Sequence, residues 1–180
     1  MAPTPLRNTV RDQPELAWWG FLAIHWKEDR VIHQDCNHVH LDPHRKAFVH
    51  GATLWSNNTG KVTAVGEALE WIRQQPLHPE LSYKICLDSY YAIDCVGVTP
   101  ERNSAHLRNG VLLRWAHDSL SMGRAAWCII RFCKVQGYKT DNSIDCRRND
   151  HANKLANNHQ RTENRGYPCW VIHGTVIIHG

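Results

Sequence analysis

The sequence predicts an α/β domain in which a mixed five-stranded sheet, an antiparallel meander followed by parallel strands, is flanked by helices. Three observations lead to that class. Strand-like apolar runs open at Trp18 and return at Leu81 and Trp127. Between the first and second of these, Val62, Val65, Leu69 and Ile72 recur at helical spacing. The remaining elements alternate between strand and helix, which gives the order βββαβα(α)βα.

Taken along the chain, Trp18 to His25 is the first strand signal, closed by the charged turn Lys27-Glu28-Asp29-Arg30. Val31 to Leu41 alternates loosely, and Ala47 to Trp55 supplies a third strand, so these three read as the meander. Ser56-Asn57-Asn58-Thr59 offers helix-capping side chains, and a helix is expected from about residue 59 to 75. Gln75-Pro76 and His78-Pro79 end it. Leu81 to Leu87 is a short buried strand ending at Asp88, and Ser89 to Val96 a short helix. Asn103 to Ser121 is a longer helix with Leu107, Val111, Leu112 and Trp115 on one face, broken at Gly123. Trp127 to Val135 is the last strand, followed by a polar loop. A final helix covers Asp150 to Asn157, with Ala152, Leu155 and Ala156 inward.

At 180 residues a single domain is expected. Net charge is +4, a mild basic excess compatible with a phosphate-bearing partner but not diagnostic of one. The seven Cys form no Cys-x-x-Cys pair, and several lie in apolar runs such as Trp127 to Cys133. An odd, unpaired set argues for a reducing compartment rather than a disulfide framework. The first fifteen residues mix prolines with charges and lack the apolar run of a signal peptide. No stretch approaches the roughly 20 apolar residues that span a bilayer. A soluble intracellular protein, of cytoplasm or nucleus, is the expectation.

Several short motifs in matching order resemble the type 1 ribonuclease H family, particularly the domains attached to retroelement reverse transcriptases. Ser56-Asn57-Asn58-Thr59-Gly60-Lys61-Val62-Thr63-Ala64 resembles the family's Thr-Asn-Asn-x-x-Glu-Leu-x-Ala helix start. Leu87-Asp88-Ser89-Tyr90-Tyr91 resembles its Thr-Asp-Ser-x-Tyr strand end. Val135-Gln136-Gly137-Tyr138 and Asn149-Asp150-His151-Ala152-Asn153-Lys154-Leu155-Ala156 resemble Val-x-Gly-His and Asn-x-x-Ala-Asp-x-Leu-Ala. Trp19-Gly20-Phe21 looks like the family's second strand. The resemblance therefore implies a divergent segment over residues 1–17, a ribonuclease H-like domain over 18–158 and a tail of unknown structure over 159–180.

Members of the family cut the RNA strand of an RNA–DNA hybrid with two Mg²⁺ ions held by four carboxylates. Carried over residue by residue, the resemblance leaves one of the four. The first-strand Asp motif is absent, Asp12 being the nearest carboxylate. The helix Glu falls on Lys61, the last-helix Asp on Asn153 and the mobile His on Tyr138. Asp88 alone is kept, as the catalytic and metal-binding candidate. Asp150, roughly one turn before Asn153, is the substitute ligand that remains conceivable. Glu67 and Glu70 lie six and nine residues beyond Lys61, too far around the helix.

Charge sharpens this loss. A site of formal charge about −4 becomes nearly neutral, and an ammonium at 4 Å repels a divalent ion by about 8 kcal/mol at an effective dielectric of 20. Lys61 is instead expected to pair with Asp88. By the same resemblance Asn57, Asn58, Thr59 and Ser89 are candidate nucleic-acid contacts. Asn57 and Asn58 are equally good helix caps, and Ser89 with Asp88 is equally well the cap of the next helix. His33, Cys36, His38 and His40 invite a zinc reading without the paired spacing of structural sites. Arg102, Arg108, Arg114 and Arg124 hold either phosphate or nothing but water.

Three functions are then open. One is a catalytically impaired ribonuclease H-like module that binds hybrid or double-stranded RNA. The second is a working nuclease, with Mg²⁺ as cofactor. The third is a retroelement remnant or scaffold that uses the fold, and the C-terminal tail, for protein contacts.

Overall fold

A computed structural model describes residues 17–39, 51, 56–76, 81–97, 109–126, 128–135, 143–163 and 170–179. It is an α/β arrangement of an antiparallel strand pair, a parallel strand pair and four helices. The strands are β1 (Ala17–His25), β2 (Arg30–His38), β3 (Ser82–Leu87), β4 (Ile129–Lys134) and β5 (Trp170–His179). The helices are α1 (Asn57–Gln74), α2 (Tyr90–Gly97), α3 (Gly110–Ala125) and α4 (Ile144–Glu163). No described helix is long and apolar enough to cross a membrane.

The expected third meander strand, residues 47–55, lies outside the described residues except for Gly51. What flanks β1 on its other side is β5, from the supposed tail. The strands run in the order β2-β1-β5-β3-β4. β5 is parallel to β1 and antiparallel to β3, so it joins the two pairs into one sheet. β5 falls within residues 159–180, whose structure the sequence leaves open. His173, Gly174 and His179 interrupt the apolar pattern of Trp170 to His179, yet its β-branched residues suit a central strand.

Alternation assigns the two faces of the sheet. Trp19, Phe21 and Ala23 of β1 and Tyr83, Ile85 and Leu87 of β3 join Val62, Val65, Leu69 and Ile72 of α1 and Leu112, Ala116 and Leu120 of α3 in the main core. Leu22 and Ile24 turn the other way, onto Ala152 of α4. Thus α1 and α3 cover one face and α4 the opposite one. Full burial of each large side chain is worth about 1.5–3 kcal/mol, which fixes α1 against the sheet. Gly66 of α1 leaves room for the ring of Trp115 on α3, which a Cβ there would overlap. On α3 the buried stripe is Leu112, Leu113, Ala116 and Leu120, whereas Val111, expected inward, is exposed.

α4 begins six residues earlier than the sequence reading and extends past it to Glu163. Its start is set locally: Ser143 Oγ accepts from Cys146 N at 3.3 Å, and Asp145 sits in the first turn where the helix dipole favours an anion. Polar residues 145–150 carry no apolar period, so this turn was not legible from spacing.

Because β5 satisfies backbone groups of both β1 and β3, a chain ending after Glu163 leaves two central strand edges unpaired. Such a truncation is expected to abolish the cooperative thermal transition followed by circular dichroism; an unchanged transition would show that β5 is dispensable.

Candidate functional site

The C-terminal ends of β3 and β4, where parallel strands of open α/β sheets commonly present ligand sites, gather the residues singled out by the motifs. α1 brings Lys61 there through its own start. Ser56 is the N-cap, its Oγ accepting from Thr59 N at 3.1 Å. Thr59 is fully buried and receives a hydrogen bond from Asn109 Nδ2 at 2.9 Å, which ties the first turn of α1 to the start of α3. Asn109 adopts a left-handed backbone at φ 61°, a conformation Asn tolerates better than most residues. With that turn anchored, Lys61 falls five residues, about one and a half turns, from the cap.

Lys61 Nζ lies 3.2 Å from Asp88 Oδ1, and the two side chains are only 15% and 12% exposed. The contact is ionic rather than an aligned hydrogen bond. At that separation and an effective dielectric of 20 the attraction is about 5 kcal/mol, largely offset by the cost of removing both charges from water. A second ammonium, which the sequence reading missed, completes the site. Lys134 Nζ donates to the backbone carbonyls of Asp88 and Val135, each at 2.8 Å, and lies 5.0 Å from the ring centroid of Tyr90. Its place follows from the pairing of the strands, since Lys134 ends β4 in register with Leu87. One ammonium thus pairs with the Asp88 carboxylate, a second binds its backbone carbonyl, and Tyr90 is exposed beside Lys134.

The other candidates divide. Thr59 and Ser89 are buried and committed to the fold, Ser89 Oγ accepting from Ala92 N at 3.2 Å as the cap of α2. Asn58 is exposed at the head of α1, where Asn57 also lies. Asp150 faces solvent on α4 and pairs with Lys154 at 2.8 Å. Asn153 follows Ala152, which packs on Leu22 and Ile24 of β1, separated from β3 in the sheet by β5. Tyr138 and Asp12 lie outside the described residues. Among the described residues no set of three His, Cys, Asp or Glu donors gathers around Asp88.

Glu67 and Glu70 line a different feature, a cleft of about 220 Å³ with Phe21, His33, Asp35, Trp71 and Gln74. In the His/Cys segment, His33 turns toward α1 and stacks on Trp71, with ring centroids 5.3 Å apart. His38 turns the other way onto Trp18. The alternation of β2 therefore separates these two imidazoles. Arg114 and Arg124 are exposed on α3.

Removing one member of the Lys61–Asp88 pair strands a mostly buried charge. Asp88→Leu is expected to cost about 3 kcal/mol in urea unfolding, while Lys61→Met combined with Asp88→Leu recovers at least half of that. Strict additivity of the two substitutions would mean that the pair is not coupled. No family model matches the chain, and neither a curated protein nor a solved structure matches it.

Proposed function

We propose that the chain is a ribonuclease H-like nucleic-acid-binding module that does not hydrolyse RNA–DNA hybrids. The observation that carries this reading is the charge around Asp88: Lys61 pairs with its carboxylate and Lys134 with its backbone carbonyl, whereas divalent ions would need anionic oxygen there. Counted over these three side chains the site is +1, which repels Mg²⁺ and attracts phosphate. The ordered motifs and the sequence of strands and helices from β1 to α4 support the family resemblance. The antiparallel pair and the parallel pair suit that resemblance, whereas β5, parallel to β1 and antiparallel to β3, is not part of it.

In this reading the surface beside the strand ends does the binding. Exposed Asn58 offers an amide to the shallow minor groove of a hybrid, where 2′-hydroxyls and base edges are displayed. Lys134 and Lys61 meet backbone phosphate, and exposed Tyr90 supplies a ring face for an unpaired base. Among the described residues Mg²⁺ would find only the Asp88 carboxylate, already paired, which does not fit a two-ion centre. Restoring carboxylates by Lys61→Glu and Asn153→Asp leaves Asn153 on the part of α4 that packs against β1.

Fluorescence anisotropy with a labelled RNA–DNA hybrid tests binding. Affinity should fall with salt, and Lys134→Gln should reduce the slope of log K against log salt by about 1. A denaturing-gel assay with Mg²⁺ or Mn²⁺ tests chemistry, and the hybrid should remain intact. Robust cleavage that Asp88→Asn abolishes would replace this proposal with an active nuclease. No association even at low salt would leave a scaffold.

A further inference from the structure

The sheet face beneath α4 holds a second cluster, on the side away from α1. Cys86 and Cys133 are direct partners across the parallel β3–β4 pair, so their side chains emerge on one face. Asp145 reaches them from the first turn of α4. Its Oδ2 receives a hydrogen bond from Lys84 Nζ at 2.7 Å, and its Oδ1 lies 3.7 Å from Arg148 Nη1 without a hydrogen-bond partner. One ligand atom from each of Cys86, Cys133 and Asp145 lies within 4.8 Å of the other two.

We propose that Cys86, Cys133 and Asp145 form a binding site for a thiophilic divalent cation of the zinc class. Two thiolates and a carboxylate, with water in the fourth position, are a donor set such an ion accepts. Tetrahedral bonds of about 2.3 Å to sulfur place two sulfurs about 3.8 Å apart, so the donors close by roughly 1 Å at most. Two adjacent strands and a capped helix turn supply them, which keeps the reorganisation small. A hard ion such as Mg²⁺ gains nothing from the sulfurs.

The charge balance also suits the exchange. Lys84 and Arg148 are matched by Asp145 and by Asp29, which Arg148 Nε reaches at 3.0 Å. The surroundings are therefore neutral while both thiols hold their protons. Binding one dication expels two protons, one from each Sγ, and leaves that neutrality unchanged. Cys133 Sγ gives up its weak contact to Lys134 O, at 3.8 Å, in the process. Burial, reinforced by the Asp145 charge, pushes the Cys86 thiol up. Cys86 is buried while Cys133 and Asp145 are partly open, which leaves one side for the ion to enter.

Titration of the reduced full chain with Cd²⁺ tests the site. A thiolate-to-metal charge-transfer band should saturate at one ion per chain, with two protons released per ion, and Zn²⁺ should displace it. Affinity should drop as pH falls. Cys133→Ser should weaken binding on the order of a hundredfold and Asp145→Asn about tenfold, whereas Cys36→Ser leaves it unchanged. Should Cys133→Ser lose its circular dichroism signature, alkylation of the wild-type chain decides, because Cd²⁺ must slow maleimide labelling of Cys133. Absence of a saturable band, or a band and protection assigned to other cysteines, would overturn the proposal.

Discussion

β5 lies between an antiparallel pair and a parallel pair, and its backbone hydrogen bonds reach both. Each unpaired N–H or C=O in the middle of a covered sheet costs about 1–3 kcal/mol, so the strand between β1 and β3 is a requirement of the fold. The helices depend on it in turn. α1 spans β1 and β5 on one face, and α4 lies across β1 and β5 on the other. If β1 and β3 shifted relative to each other, the core joining Phe21, Leu69 and Ile85 would lose its registry.

That framework gives the two faces different chemistry. On the α1 side, the strand ends hold Asp88 between two lysines, a polar arrangement that is complete without any added ion. The Lys61 ammonium keeps a mostly buried carboxylate compensated, which lets it sit beside the core. Beneath α4, sulfur predominates, and the charged groups around it are already balanced among themselves. The alternation of β3 keeps the sites apart: Leu87 points toward α1 and Cys86 away from it.

How far the sequence revealed this depended on the kind of signal. β1, β2, α1, β3, α2 and β4 were legible because each carries its own periodicity or turn chemistry within a few residues. The Lys61–Asp88 pair was legible through charge, once Asn57-Asn58 and Asp88-Ser89 placed both on their elements. Lys134 was not, because its role comes from a parallel neighbour whose register no local pattern records. β5 stayed open for a similar reason. Its glycine and histidines weaken a strand signal, and only the two open edges on either side call for a strand there. The early turn of α4 was hidden by polar composition, and with it Asp145, which brings a carboxylate to two cysteines far away in the chain.

The position of β5 also bears on the order in which the molecule assembles. Ala17 pairs with Trp170, so the two strands first needed at the centre are made about 150 residues apart, and closing such a loop is slow. On the ribosome β1, β2, β3 and β4 emerge with apolar faces and unpaired edges before the strand that joins them exists. The nascent chain must therefore hold β1–β2 and β3–β4 as separate adherent pieces until synthesis passes residue 179, a period in which edge-to-edge association with other chains competes with folding.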